Sequence, residues 1–334
     1  MTAPRVAGDL NTALHRLFAE DERAMLLGED VCDPYGGAFK VTRGLSTRYP
    51  HRVRNTPISE GALVGVASGL ALAGDTAVAE IMFADFVTLA FDQLVNFASK
   101  STAMYGRRLP LRLVVRCPTG GNRGYGPTHS QTPQKHLIGV PGLALYEASP
   151  LHDNHTLLTR ILDDGVPAVL FEGKVLYGER MFTDGMVDDL FGYELTDGVA
   201  RIRLHDPVPP DCVLITSGAM VHRAVEALRE LLLHDEIVAE LLVVSRLYPV
   251  DRAPLLSLTG PARRVAVIEE STAGGTWGAE VAAALHPPLW GTLAAPIRLI
   301  HSLDSIIPAA AHLERQVLVQ SGTIRHAVKE LVHG

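Results

Sequence analysis

Two patterns of apolar residues alternate along the chain: one has the spacing of a helix, and the other is a short continuous run. Residues 9–24 place leucine and phenylalanine at helical spacing, and further helices are predicted at 39–50, 85–105 and 153–163. Short apolar runs predict buried strands at 76–83, 111–116, 143–147 and 168–172. Strands that alternate with helices predict an α/β fold built on a mostly parallel sheet.

The pattern changes around residues 182–211, a stretch that ends in Asp206-Pro-Val-Pro-Pro-Asp211. A second alternation follows, with strands predicted at 212–218, 238–244, 264–269 and 297–300 and helices at 220–233, 279–285 and from 324 onwards. We therefore expect a first domain over 1–190, a linker over 191–211, and a smaller α/β domain over 212–334.

The most apolar predicted helix spans residues 61–74 and contains only Gly, Ala, Val, Leu and one Ser. Such a helix has no polar face, so we expect it to be buried on all sides. Glu60 is the only acid at its head. Either Glu60 is a capping carboxylate in the first turn, or it is a buried group whose pKa is raised for chemistry.

Composition excludes several classes of function. The net charge of −7 leaves no basic surface for nucleic acid or an anionic membrane. Cys32, Cys117 and Cys212 lie far apart and form no zinc-binding or disulfide pattern. The N-terminus lacks a signal-peptide pattern, and the apolar run at 61–74 is too short to cross a bilayer. We expect a cytoplasmic protein.

Two glycine-rich stretches follow predicted strands, at 117–128 and 273–278. Neither matches the dinucleotide or P-loop pattern, so we assign no nucleotide to them. His129 closes the first stretch, and Phe86 lies just past a strand end, where α/β folds place ligands. Each residue also has a purely structural interpretation, as a core histidine or a packed phenylalanine.

Eight motifs occur in an order that matches one known family. They are Gly28-Glu-Asp30, Gly36-Gly-Ala-Phe-Lys-Val-Thr42, Thr56-Pro-Ile-Ser-Glu60, Glu80-Ile-Met-Phe-Ala-Asp-Phe86, Phe91-Asp-Gln-Leu-Val-Asn96, His129-Ser-Gln131, Pro141-Gly-Leu143 and Glu172-Gly-Lys-Val-Leu-Tyr177. The chain resembles the beta subunit of the thiamine-diphosphate-dependent 2-oxoacid dehydrogenase first component, of the pyruvate and branched-chain type. The resemblance covers essentially the whole length and weakens after about residue 240.

The resemblance implies a pyrimidine-binding first domain and a transketolase C-terminal-like second domain. It also implies that Glu60 hydrogen-bonds N1′ of the cofactor's aminopyrimidine and promotes the imino tautomer that removes the thiazolium C2 proton. By the same resemblance, Phe86 stacks on the pyrimidine and Glu29 belongs to the cofactor contacts. His129 faces the substrate and the acyl intermediate.

The resemblance further implies several partners. Leu113, Ile161 and Asp164 align with positions that hold a structural potassium ion, mainly through backbone carbonyls.

The Gly-Asp-Gly and Asn-Asn motifs that anchor the diphosphate through magnesium do not occur in this sequence. An alpha subunit is therefore expected to supply that half of the site and the Mg²⁺, in an α2β2 assembly. We expect part of the apolar surface of 61–74 and 86–105 to lie in subunit contacts.

The chain departs from the family after His129-Ser-Gln131. Relatives usually continue Ser-x-Glu-Ala-x-Phe, whereas this chain has Thr132-Pro-Gln-Lys-His136-Leu. Three hypotheses remain open. The enzyme hands an acyl group from a small 2-oxoacid to a lipoyl-domain acyltransferase, or it delivers a two-carbon or acyl unit from a 2-oxoacid or ketose to an acyl carrier protein. The third is a non-catalytic assembly subunit.

Overall fold

The chain divides into two compact units in a computed structural model that describes residues 3–260 and 262–334. The first unit comprises Met1–Thr119, Leu137–Ala148 and His152–Met181; the second comprises Gly120–His136, Ser149–Leu151 and Phe182–Gly334. The segment that contains His129 is therefore part of the second unit, although the sequence places it before the predicted linker. Each unit has its own sheet and its own core.

Six strands of the first unit pair in parallel in the order β5-β6-β4-β3-β1-β2. They are β1 (Ala24–Gly28), β2 (Val53–Asn55), β3 (Thr76–Glu80), β4 (Leu113–Thr119), β5 (Ala144–Glu147) and β6 (Ala168–Gly173). All five residues of β3 and all seven of β4 are buried, as expected for central strands covered on both faces. The predicted parallel α/β sheet is confirmed.

The helices of the first unit are α1 (Val6–Glu20), α2 (Leu45–Arg48), α3 (Glu60–Leu72), α4 (Ser99–Ser101) and α5 (Asn154–Asp163). The α1 and α5 helices pack their leucines onto the sheet: Leu10, Leu14, Leu157 and Leu158 share one core with Leu26 and other strand residues. This core fixes where the carboxyl ends of the strands lie.

Two helix predictions differ from the structure. Over 39–50 only α2 is helical, because Gly44 before it has a positive φ of 84°. The helix predicted at 85–105 is a 3₁₀ helix over Ala84–Ala90 followed by a π-helical turn over Gln93–Ala98 and α4. The Ser99 and Ser101 hydroxyls donate to the carbonyls four residues earlier, a bond that distorts helices.

The helix α3 is not buried on all sides in this chain. Val66 is 54% exposed and Leu89, in the neighbouring 3₁₀ helix, is 62% exposed. An apolar sequence without a polar face can still present one side to solvent when the chain alone does not cover it. The two exposed side chains belong to the same unit and mark an apolar surface on it.

The second unit contains a mixed sheet of order β13-β12-β9-β10-β8-β7. Its strands, and a short further strand β11, are β7 (Phe191–Thr196), β8 (Val199–Leu204), β9 (Cys212–Ser217), β10 (Ala239–Val244), β11 (Arg246–Tyr248), β12 (Val265–Thr272) and β13 (Arg298–Ser302). Its helices are α6 (Val221–Asp235), α7 (Arg252–Thr259), α8 (Trp277–Leu289), α9 (Ala311–Val317) and α10 (Ser321–His333).

Residues 191–204, for which the sequence predicted a linker, form the antiparallel hairpin β7–β8 at the edge of this sheet. The hairpin belongs there because Phe191, Ala200 and Ile202 are buried in the core of the second unit. Within β8, Ala200 and Ile202 are buried while Arg201 and Arg203 are half-buried, as expected for a strand with one face on the core. Within residues 3–260 and 262–334, no helix is long and apolar enough to cross a membrane.

Candidate active site

Glu60 is the first residue of α3, and its side chain is buried, with the residue only 4% exposed. It follows β2, the edge strand that pairs in parallel with β1. The hydrogen bond from the Thr56 amide to the Gly28 carbonyl, 2.9 Å long, holds the chain beyond β2 against the end of β1. The carboxylate therefore lies at a helix N-terminus, where the backbone favours negative charge.

Glu29 comes directly after β1 and is also buried. Burial raises the pKa of the Glu29 carboxyl, and the nearby carboxylates of Glu60 and Asp30 raise it further. The structure thus brings two buried carboxyl groups together on adjacent strand ends. Burial and the repulsion of the neighbouring carboxylates therefore favour the protonated form of Glu29.

Two polar atoms at this site, one of them in the pair itself, have no hydrogen-bond partner. They are Glu29 Oε1 and Thr56 Oγ1, and both are buried. Buried polar atoms are normally satisfied, so unsatisfied ones mark a place where a ligand or another chain completes the site. This property fits a pyrimidine ring, whose nitrogen and amino groups both accept and donate hydrogen bonds.

Phe86 lies in the 3₁₀ helix Ala84–Ala90, which follows β3. It is half-buried, and its ring meets the Phe83 ring edge to face with centroids 6.5 Å apart. Phe83 in turn contacts Phe39, 5.8 Å away. Because β3, β1 and β2 are neighbours in the sheet, Phe86, Glu29 and Glu60 follow the carboxyl ends of three adjacent parallel strands.

A buried charged cluster supports this edge, and sequence reasoning missed it. Arg116 on β4 is fully buried and donates two hydrogen bonds to Glu172, of 2.7 and 2.8 Å, and one of 2.5 Å to Glu80. Tyr177 donates its hydroxyl proton to Glu172 over 2.7 Å. Two charged residues at the ends of otherwise apolar predicted strands, Glu80 and Arg116, were the signal in the sequence for this cluster. They are 36 residues apart and lie opposite each other in the paired strands.

The charges of this cluster depend on each other. Burial disfavours the Arg116 cation, but Glu172 and Glu80 outweigh it and raise the arginine pKa. Burial is the main cause that raises the pKa of Glu80, against the opposing effect of Arg116. Burial and the Glu172 charge also raise the pKa of the Tyr177 phenol, so Tyr177 stays protonated and donates to Glu172.

His129 belongs to the second unit, at the end of the glycine-rich segment that starts at Gly120. Its Nδ1 lies 3.0 Å from the Thr128 hydroxyl. The backbone amides of this segment bind carboxylates of the same unit: Gly121 donates to Glu270 over 2.7 Å, and Asn122 and Gly124 donate to Glu314 over 2.9 and 3.0 Å. These three amides are therefore engaged by carboxylates of the unit itself.

The residues expected to bind potassium lie near each other in the first unit. Leu113 begins β4, Ile161 lies in α5, and Asp164 caps the end of α5. The Leu111 amide donates to the Gly165 carbonyl over 2.8 Å, which holds the end of α5 beside the start of β4. In the part of the chain that is described, no group of three or more His, Cys, Asp or Glu side chains is arranged to hold a metal ion. A carbonyl-bound potassium ion remains a prediction.

Comparison with known proteins defines the class. Residues 5–179 match the family described as transketolase, pyrimidine binding domain, and residues 202–324 match transketolase, C-terminal domain. Among solved structures, the inactive beta4 tetramer of a split-gene transketolase superposes with a TM-score of 0.75, at 19% identity, over 98% of each chain. The fold is that of the transketolase-type enzymes.

Relatives that match nearly the whole of this chain narrow the class to one family. The beta-2 subunit of the mitochondrial pyruvate dehydrogenase E1 component of Oryza sativa subsp. japonica is 33% identical over 96% of this chain and 84% of its own. The beta subunit of 2-oxoisovalerate dehydrogenase of Bacillus subtilis is 31% identical over 96% of both chains. The beta subunit of acetoin:2,6-dichlorophenolindophenol oxidoreductase of Cupriavidus necator is 30% identical over 97% and 96%. The chain belongs to the beta subunits of the 2-oxoacid dehydrogenase E1 type.

Proposed function

We propose that this chain is the beta subunit of a thiamine-diphosphate-dependent enzyme that decarboxylates a 2-oxoacid and is active only with an alpha subunit. The observation that carries the proposal is the pair of buried carboxyl groups, Glu29 and Glu60, beside unpaired polar atoms at the strand ends. Family membership supports the same assignment. The unpaired cysteines are compatible with a reducing compartment such as the cytoplasm.

The residues of this chain fit the pyrimidine half of the cofactor. When bound, thiamine diphosphate would supply the nucleophilic carbon that attacks the 2-oxo carbonyl. Glu60 would share a proton with the pyrimidine, and the burial of its neighbour Glu29 would keep a second proton in the site. Phe86 would provide an aromatic face for the ring. His129 would orient the substrate and its acyl product.

The alpha subunit would supply the diphosphate anchor and Mg²⁺, which this sequence lacks motifs to hold. The apolar surface that includes Val66 and Leu89 supports this assembly, because exposed apolar groups on a helix next to the site suit a subunit contact. A potassium ion at Leu113, Ile161 and Asp164 is part of the proposal, with a structural role.

The acyl acceptor is proposed to be a lipoyl domain. An acyl carrier protein is the second candidate, because the chain departs from the family after His129-Ser-Gln131. The departing segment lines a cleft of about 400 Å³ in the second unit. That cleft includes Gln131, Lys135 and His136 with Ser305 and Ile306. Turnover with a purified lipoyl domain, compared with a purified carrier protein, separates the two candidates.

The central test is Glu60→Gln in the complex with the alpha subunit. We expect kcat with a 2-oxoacid to fall by about 10²-fold or more, since the amide cannot exchange the proton. Glu22→Gln, an exposed acid of the same unit, is the control and should leave kcat unchanged. Cofactor binding is measured separately by calorimetry. Full activity of Glu60→Gln would rule out the proposed role of Glu60. If the wild-type complex binds the cofactor but shows no turnover, the result supports the alternative of a non-catalytic assembly subunit.

A further inference from the structure

The ammonium group of Lys135 lies in a ring of oxygens from the second glycine-rich turn. Its Nζ is 2.9 Å from the Thr272 carbonyl, 3.2 Å from the Thr272 hydroxyl, 3.2 Å from the Ala273 carbonyl and 3.1 Å from the Gly274 carbonyl. All four acceptors are neutral. An ammonium has three protons, so four oxygens within 3.2 Å are more than it can bond one to one, and they attract it as a compact charge.

The turn is shaped to present these oxygens. Gly274 and Gly275 have positive φ values of 89° and 58°, which glycine adopts at little cost. The chain therefore directs three successive carbonyls, those of Thr272, Ala273 and Gly274, to one point. Converging backbone carbonyls are the ligands with which proteins replace the hydration shell of potassium.

We propose that these oxygens form a monovalent-cation site whose resident cation is the tethered ammonium of Lys135. The site takes a compact, singly charged cation of the ammonium or potassium type. A guanidinium is planar and donates in a fork, so it does not fit oxygens that converge on one point. Lys135 and Thr272 also line the 400 Å³ cleft, which gives a free cation a route to the ring if the lysine is removed.

The bound ammonium holds the segment that carries His129. At the start of that segment, Glu270 and Glu314 accept hydrogen bonds from the amides of Gly121, Asn122 and Gly124. At its end, Lys135 donates to the carbonyl of Thr272, the last residue of β12, and to those of Ala273 and Gly274 just after it. The same strand carries Glu270. The segment is thus held at its start by hydrogen bonds from its amides and at its end by the Lys135 ammonium. Lys135 is a positioning residue for His129, and this second half of the inference rests on the proposed function.

The test is Lys135→Met in the full-length chain, which removes the charge and keeps an unbranched apolar stem. In tetramethylammonium chloride, we expect its thermal midpoint to lie roughly 3–6 °C below that of the wild type. Potassium or ammonium chloride at the same ionic strength should return at least half of that difference. The quantity compared is always variant minus wild type, so that any potassium bound elsewhere cancels.

Lys329→Met is the matched control, because Lys329 in the same unit pairs with a carboxylate, Asp235, over 2.6 Å. Its midpoint relative to wild type should be the same in all three salts. The cation site is refuted if Lys135→Met responds to potassium no more than Lys329→Met does, or if it stays unfolded in potassium as well. Crystals of Lys135→Met soaked in rubidium should show anomalous density inside the ring.

Activity of the complex with the alpha subunit tests the positioning role. Lys135→Met should lose turnover in tetramethylammonium and recover it in potassium, in parallel with the thermal midpoint. Rescue of the midpoint without rescue of turnover removes the positioning role and leaves the cation site. A wild type without turnover overturns the proposed function and, again, leaves the cation site intact.

Discussion

The Arg116 guanidinium and the Glu172 carboxylate face each other through two hydrogen bonds of 2.7 and 2.8 Å, and neither side chain is exposed to solvent. The pair joins β4 to β6 near their carboxyl ends. Glu80 on β3 shares the same guanidinium. A single arginine therefore connects three adjacent strands directly below the edge where the candidate active site lies.

Removal of Arg116 should lower the free energy of unfolding. Arg116→Met leaves Glu80 and Glu172 buried without their cation, and we expect a loss of about 3–5 kcal/mol in the free energy of unfolding. Arg298→Met is the control, because its pair with Glu330 is about half exposed and should contribute about 0–1 kcal/mol. Urea titrations of both variants measure the difference. A loss below about 1 kcal/mol for Arg116→Met would mean that the cluster does not hold the strands together.

Tyr177→Phe separates the hydrogen bond of this cluster from its packing. The phenylalanine keeps the ring that contacts Phe39 at 5.0 Å but cannot donate to Glu172. Because a hydrogen bond to a charged group is lost in a buried place, we expect a decrease of about 1.5–3 kcal/mol in the free energy of unfolding. The decrease should be much smaller in an Arg116→Met/Glu172→Gln background, where the acceptor charge is already absent. Equal decreases in both backgrounds would show that the hydroxyl acts through another contact.

Glu29→Gln should change how stability depends on pH. The folded pKa of Glu29 is raised by burial and by Glu60, so the folded chain binds its proton more tightly than the unfolded chain. The wild type therefore loses stability as pH rises from the ordinary glutamate pKa of about 4.3 through the raised folded pKa. We expect Glu29→Gln to avoid that loss and to be more stable than wild type at neutral pH, with lower activity. Urea titrations from pH 4 to pH 8 check the curve.

Asp33→Asn supplies a comparison of opposite sign. Burial would raise the Asp33 pKa. Hydrogen bonds from the Gly44 amide, from the Ser46 hydroxyl, and from the amide and hydroxyl of Thr47 outweigh burial and lower the pKa. The stability from ionised Asp33 is present above the unfolded pKa of about 3.9 and is lost as pH falls through the lowered folded pKa. The Asn variant should be less stable than wild type at neutral pH and approach it in acid. If both variants change stability in the same direction at neutral pH, the assigned pKa shifts are wrong.

Much of the fold follows from local pattern. The alternation of strands and helices, the central strands β3 and β4 and the position of Glu60 at the head of α3 were all predictable, because hydrophobic period and small-residue composition act within a few residues. The broken helix over 84–101 was not predictable in this way. In that segment, the hydroxyls of Ser99 and Ser101 donate to carbonyls four residues earlier, and Leu89 is exposed. Both features determine the backbone conformation more than the spacing of apolar residues does.

The sequence by itself determined which residues can carry chemistry and the class of fold that holds them. Only the tertiary structure decided which of them meet: the strand order places Glu29 beside Glu60, Arg116 between Glu80 and Glu172, and Lys135 in the carbonyls of a turn 137 residues away. The physical reason is that period and composition report only on near neighbours in the chain. Ion pairs and carbonyl rings depend on which distant backbone segments the sheets bring into register.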